Sequence, residues 1–349
     1  MRMNGIKVSV IIPVYKVPLE YLRTCLDSLV AQTMQECEFI VVSDGAPEAE
    51  CSICEEYVAR DCRFKFFRRN HAGVSATRNY GMAQALGKYI SFVDSDDWID
   101  ANILKEAYDY SEKIDSDVTF WNCVTVSSKK KYPVRYSKGD KFLLSEDMLN
   151  AIRRNLFFAE QKKYLVFIYP TCKLYKASLV KNFMFEENLE IGEDRIFNIH
   201  VFSMDIRVAY LNRNAYFYRQ NAYSITKKYC HDAFDIRLKY IRRSEELSDG
   251  MYYAEICNET LYKFIDCLSR DYFHKDNPLP FKENIKRLKR VFYSKEFRHV
   301  VDNCSFRKLN RCHKIDYLFI KAKIFSWLYI RTIVFFIKKK IDHCTRFAI

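Results

Sequence analysis

The apolar positions of this chain change period several times. Val8 to Val14 (VSVIIPV) is a continuous apolar run, as a strand buried on both faces requires. In the next stretch, PLEYLRTCLDSLVAQT, Leu22, Leu26 and Leu29 with Val30 recur at helical spacing. Phe39 to Val42 predicts a second strand, ending in Ser43-Asp44-Gly45. EAECSICEEYVARD predicts a second helix and RFKFFRR a third strand. GVSATRNYGMAQALG predicts a third helix, bracketed by Gly73 and Gly87. Lys88 to Val93 predicts a fourth strand, NILKEAYDYSEKI a fourth helix and SDVTFWNCVTV a fifth strand.

This β-α-β-α-β-α-β alternation with short connections predicts an α/β fold: a mainly parallel, Rossmann-like sheet with helices on both faces. Ligands of such sheets bind at the carboxyl ends of the strands. The polar residues gather at those ends: Tyr15 after the first strand, Asp44 after the second, Asp94 to Asp97 after the fourth. From Lys129 to Gln161 the chain is charged and less regular, a loop with one helix at EDMLNAIRRNLFF. Strand-like pieces resume at YLVFIYPTCKLYK, and VAYLNRNAYFYRQNAYSIT reads as a hairpin turning near Asn212 to Asn214. Beyond that the alternation stops and helices dominate. The expected organisation is therefore a domain over 1–228 and a helical C-terminal region over 229–349.

Charge separates the same regions. Residues 281–349 hold 18 Lys and Arg against 5 Asp and Glu, whereas the preceding 280 residues hold 39 of each. The formal charge of +13 thus belongs to the C-terminal end. There, IDYLFIKAKIFSWLYIRTIVFFIKKKI (Ile315 to Ile341) is mostly apolar but interrupted by Lys321, Lys323 and Arg331. It would cross a bilayer only with a buried charge. A helix lying in the interface, lysines toward lipid phosphates, fits better than a span; a helix docked on the rest of the protein is the alternative. The 13 cysteines have no regular spacing; Cys51-Ser-Ile-Cys54, near Cys62, lacks the second pair or histidine that a zinc site needs. An odd count without a signal peptide fits a reducing cytoplasm.

The stretch YISFVDSDDWID raises the sharpest chemical question. Asp94, Asp96 and Asp97 occupy three of four positions, and Asp100 follows. Capping of the next helix by Asp96 or Asp97 would explain one or two of these acids. A divalent cation explains the crowding better, because hard cations such as Mg2+ or Mn2+ prefer carboxylate oxygens. Glu193 and Asp194, behind Gly192, form a second acidic pair at a helix start, where capping is the ordinary reading.

Taken together, VSVIIPVYKVPLEYLRTCLDSLVAQT, FIVVSDGAPE, NHAGVSATRNYGMAQALGKYISFVDSDDWID and IGEDRIF resemble the family 2 glycosyltransferases, inverting enzymes of the GT-A fold. The resemblance covers roughly residues 5–225. It implies a nucleotide-diphosphate-sugar donor, usually UDP-linked, and a divalent metal, Mn2+ or Mg2+. It implies that Pro13, Val14 and Tyr15 line the nucleotide pocket, and that Asp44 accepts from the base or ribose. Arg78 would approach the diphosphate or hold the aspartate turn. Asp94 would bind the ribose or a metal-bound water, with Ser95 beside it, and Asp96 would ligate the metal. Asp97 would support the donor sugar or cap the next helix. The resemblance makes Asp194 the catalytic base and Glu193 a second acid that binds the acceptor or positions Asp194. It divides the first domain into a nucleotide-sugar side, 1–125, and an acceptor side, 126–228.

Two departures stand out: Lys16 where the family often has Asn, and Ala46 where it has Ser. The Gln-x-x-Arg-Trp signature of processive synthases is absent, which favours adding one sugar per encounter. His71, Tyr218 and Arg219 are further candidates for the donor side, and His200 reads as a packing residue. The expected acceptor is a lipid-linked or cell-surface glycan precursor, such as one on a polyprenyl carrier. An anionic membrane surface is the expected partner of the basic end, placing the protein on the inner face of the cell membrane; nucleic acid is not an expected partner. Two other classes fit these residues less well. A metal-dependent nucleotidyltransferase would want a Gly-rich loop early in the chain, and PVYKVPLEY has no glycine. A basic membrane- or nucleic-acid-binding protein on an inactive fold leaves the four motifs unexplained.

Overall fold

The first strand, β1 (Val8–Val14), is almost wholly buried, and β2 (Cys37–Asp44) is buried at every position. Both are therefore interior strands, covered by helices on each face. The computed structural model describes residues 5–127, 130–220 and 228–332. The chain divides into two compact units, Met1–Asn221 and Ala222–Ile349.

In the first unit, α1 (Leu19–Val30) buries Leu22, Cys25, Leu26 and Leu29, one face of a 3.6-residue repeat. After β2 come α2 (Glu48–Arg60), β3 (Phe64–Arg69), α3 (Val74–Gln84) and β4 (Tyr89–Phe92). α3 packs so closely on β1 that a Cβ at Gly81 would lie 2.5 Å from Ile11 Cγ2. The next elements are β5 (Trp98–Ile99), α4 (Ile103–Ile114), β6 (Val118–Val126), β7 (Lys131–Val134), β8 (Lys141–Leu143) and α5 (Glu146–Phe157). They are followed by β9 (Lys173–Lys176), α6 (Ala177–Val180), α7 (Glu193–Ser203) and β10 (Val208–Arg219).

The strands form one sheet in the order β3-β2-β1-β4-β9-β6-β10-β5, with β7 on β6 and β8 on β10. β3, β2, β1 and β4 are mutually parallel, as are β6 and β10, so the expected mainly parallel sheet is present. Three features differ from the sequence reading. First, β9 inserts between β4 and β6 and runs antiparallel to both, so the fourth and fifth strands of the alternation are not neighbours. Second, Val208–Arg219 is one strand, not a hairpin; the expected turn near Asn212 to Asn214 is a bulge, seen as register shifts against β6. Residues 221–226 of that stretch lie outside the described residues. Third, YLVFIY is not strand: Lys162–Phe167 is a short 3-10 helix, and its neighbourhood is bonded by side chains instead of a ladder.

The second unit is helical: α8 (Ala233–Ser248), α9 (Tyr253–Cys267), α10 (Phe281–Phe292), α11 (Lys295–Asn303) and α12 (Arg311–Lys321), then a further helical stretch over 326–332. The continuous interfacial helix expected from residue 315 is interrupted. Lys323 adopts φ 59°, and the Arg298 guanidinium bonds the carbonyls of Ile320 (2.7 Å) and Lys321 (2.9 Å), ending α12. The buried Asp316 carboxylate then takes Trp327 Nε1 and Arg331 Nε, each at 3.0 Å, which folds the chain back on α12. Residues 333–341 of the expected helix lie outside the described residues. Among the described residues no helix is long and apolar enough to cross a membrane.

Candidate active site

Three parallel strands end together. Val14 of β1 sits opposite Ser43 of β2, and Ile11 sits opposite Phe92 of β4. Register alone therefore brings Tyr15, Asp44 and Asp94 to one edge. Pro13 is half-buried there, and Tyr15 is exposed. Val14 is only 1% exposed, so it presents no open surface to a ligand there.

Asp44 organises the loop leading into α3. Its carboxylate accepts from Ala72 N (2.7 Å) and from Gly73 N, and lies 2.9 Å from His71 Nδ1. The His71 ring stacks on Tyr15, with centroids 4.3 Å apart, so Asp44 fixes an aromatic shelf at the rim. Gly45 has φ 69°, and a Cβ there would sit 2.9 Å from His71 N; the residue must be glycine for the loop to approach.

The aspartate turn follows β4 directly. Asp97 N donates to the Asp94 carbonyl at 3.0 Å, closing the turn. Its carboxylates have different fates. Asp97 is 1% exposed, and both its oxygens are taken by β10: Tyr216 Oη donates to Oδ2 and Arg219 N to Oδ1, each at 2.7 Å. Burial, with Asp94 and Asp96 nearby, pushes the Asp97 carboxyl well above the usual range. It ties the turn to β10. Helix α4 begins at Ile103 with Asn102 at the cap position, so neither Asp96 nor Asp97 caps it; Asp100 instead accepts from Asn102 N at 3.0 Å. Ser95 is buried in the turn.

Asp94 and Asp96 lie at the half-exposed rim. Hard oxygen donors beside an open edge suit Mg2+ or Mn2+, which are held by one or two carboxylates and complete their shell with water and ligand phosphate. Among the described residues no group of three or more acids, histidines and cysteines forms a metal cage. Two carboxylates at an open edge fit an ion shared with a ligand.

Arg78 connects this turn to the second acidic pair. It is 4% exposed on α3, and its guanidinium donates to Asp94 Oδ1 (3.0 Å) and Asp194 Oδ1 (2.6 Å), with Glu193 Oε1 at 3.6 Å. Glu193 and Asp194 open α7 after Gly192, whose φ is 90°. Burial pushes the Asp194 carboxyl well above its usual pKa; Arg78 opposes this, and Glu193 and Asp94 add to it. Arg219 lies over Tyr21 (4.1 Å) and Trp98 (4.6 Å), with Nε donating to the Asp96 carbonyl at 3.0 Å. Tyr218 beside it is exposed. His200, further along α7, stacks on Phe183 with centroids 5.7 Å apart and stays outside this group.

Sequence reasoning missed Tyr216, which braces the turn, and Asn79, whose amide bonds Phe185 O (2.9 Å) and Glu187 (3.0 Å) behind Arg78. It also missed Lys173, Tyr175 and Asn198. The alternating Lys173-Leu174-Tyr175 was the one visible signal for the first two.

An α/β sheet with Tyr15 and Asp44 at its carboxyl edge, an acidic turn after the fourth strand and an acid pair at a later helix start is a GT-A-like arrangement. The chain belongs to glycosyl transferase family 2, whose model matches residues 9–183. It is 34% identical over 233 residues to glycosyltransferase GlyA of Streptococcus pneumoniae serotype 4, covering 66% of this chain and 33% of GlyA. It is 29% identical over 262 residues to the uncharacterized glycosyltransferase EpsJ of Bacillus subtilis, covering 74% of each. The chain thus spans about a third of the first relative and about three quarters of the second. Among solved structures, S. aureus TarS 1–349 in complex with UDP-GlcNAc matches with a TM-score of 0.58 at 19% identity, covering 92% of this chain and 88% of that one. At that identity the likeness shows the fold.

Proposed function

We propose that the protein is an inverting glycosyltransferase that moves one sugar from a UDP-linked donor to an acceptor hydroxyl. The observation that carries this reading is the Arg78 fork, which brings the donor-side Asp94 and the base-side Asp194 onto one guanidinium. Residues 1–125 would bind the nucleotide sugar, over the Tyr15–His71 shelf and beside Asp94 and Asp96. Residues 126–228 would form the acceptor side. Asp194 would take the proton of the acceptor hydroxyl as its oxygen bonds to the anomeric carbon. The bond from that carbon to the phosphate oxygen would break on the opposite face, and UDP would leave. The raised pKa of Asp194 suits a base that must hold a proton once it has taken it. Glu193 would position it. Asp96, with Asp94, would hold Mn2+ or Mg2+, which when bound would offset charge developing on the leaving diphosphate.

A polymeric acceptor is supported by one relative, named a poly(ribitol-phosphate) beta-glucosyltransferase of Bacillus spizizenii. In the helical unit, Ile315, Leu318, Ile324, Tyr329 and Ile330 are exposed among Lys321, Lys323 and Arg331. That combination suits an anionic membrane surface, where a lipid-linked acceptor would be met. The test of the whole reading is UDP release by the purified protein from a panel of UDP-sugars with Mn2+, with EDTA as the control. Release that needs both sugar donor and metal is expected; no release from any donor overturns the reading. Flotation with vesicles containing anionic lipid tests the membrane role: Leu318→Glu with Ile330→Glu should abolish binding, and unchanged flotation would refute it.

A further inference from the structure

β9, the antiparallel strand set between β4 and β6, carries a buried cation that the proposed reaction does not use. Lys173 is 0% exposed, and its Nζ donates to the carbonyls of Val166, Tyr169 (2.6 Å) and Thr171 (3.1 Å). Burial lowers its pKa to about 7, while Cys172, Asp194 and Cys123 act the other way. A buried ammonium has three protons to satisfy. Here three carbonyls of one segment satisfy them.

Tyr175 lies two residues on and so shares a face of β9 with Lys173. Its hydroxyl donates to Asn198 Oδ1 at 2.8 Å. Asn198 Nδ2 in turn lies 3.2 Å from both the Ile168 and the Asp194 carbonyls. Four carbonyls between residues 166 and 171 are therefore held by side chains of β9 and α7, and the same amide holds the backbone of Asp194. This is why that apolar stretch does not form the strand its composition suggests. The outer side of the segment presents Tyr169, 52% exposed.

We propose that Lys173 is a positioning residue: with Asn198 it clamps residues 166–171 to the start of α7, and so fixes the backbone from which Asp194 reaches the acceptor hydroxyl. The donor pocket does not depend on this clamp. The inference rests on the reading of Asp194 as the base.

The test uses the full chain with Lys173→Met and, separately, Asn198→Leu, both near in size to the native residue. Hydrogen exchange of amides in 166–171 should quicken at least tenfold, with β1, β2 and α3 within twofold of wild type. With UDP-GlcNAc and Mn2+, and water as the acceptor, kcat for UDP release should fall at least tenfold while KM for UDP-GlcNAc stays within twofold. Exchange rising equally throughout the first unit would mean plain loss of stability and would overturn the proposal. So would an unchanged kcat, or a KM rising by the factor that kcat falls. If the wild type releases no UDP from any donor, the glycosyltransferase reading fails, and the exchange result alone decides the clamp.

Discussion

Asp94 and Asp194 meet on one guanidinium but reach it by different routes. Asp94 is placed mainly by the sheet: a buried strand, a four-residue turn and register against β1, with β10 bracing the turn. Asp194 is placed by Arg78, 116 residues away on α3, and by Asn198 one turn along α7, whose amide is itself tied to Tyr175 and the 166–171 segment. The donor half is thus a property of the α/β alternation. The base half is a property of side chains that bond irregular backbone. Local placement tolerates change one element at a time, whereas the base half should fail as a unit.

The largest effect should come from the base itself. Asp194→Asn should cut the turnover for UDP release by about 10²–10⁴-fold, read by steady-state kinetics with a UDP-sugar. The wild-type pH profile carries the same signature. Because burial and the neighbouring carboxylates raise the Asp194 pKa, kcat/KM should fall on the acid side of a midpoint above the ordinary aspartate value of about 3.9. Linkage fixes the stability sign. With its folded pKa raised, Asp194 contributes stability that is fully present below the unfolded pKa and is lost as pH rises through the folded pKa. Asp194→Asn should therefore leave Tm at pH 7–8 unchanged or raised, which thermal melts would read.

Arg78→Met leaves three acids around an apolar side chain and should cost about 3–5 kcal/mol, measured by urea unfolding. A loss well below that would mean that the fork contributes little to holding the halves together. Tyr216→Phe is smaller. It removes two hydrogen bonds of Tyr216 Oη, one donated to the buried Asp97 and one accepted from Asp94 N, and should cost about 1–3 kcal/mol, with donor KM little changed. A large rise in donor KM would show that the brace on the turn is part of the donor pocket.

The sequence was readable where structure is local. Continuous apolar runs and helical spacing located β1 to β4 and α1 to α4, and the crowding of Asp94, Asp96 and Asp97 marked the edge. Where placement depends on distant partners, pattern failed. Nothing in YLVFIYPTCKLYK announces that Lys173 will bond the carbonyls of the segment before it, so an apolar run that looks like strand becomes a 3-10 turn. From sequence the bulge in β10 looks like a hairpin turn, because Asn212-Arg213-Asn214 has turn composition; pairing with β6 on both sides of it keeps the strand whole. Asp97 was indistinguishable from its neighbours until β10 claimed both its oxygens.

Titration of UDP in the presence of Mn2+ separates the two halves most directly. Asp96→Asn should weaken UDP binding at least tenfold, and Asp194→Asn should leave it within twofold of wild type. Equal loss in both variants, or loss in Asp194→Asn alone, would contradict the division of the site into a donor edge and a base side.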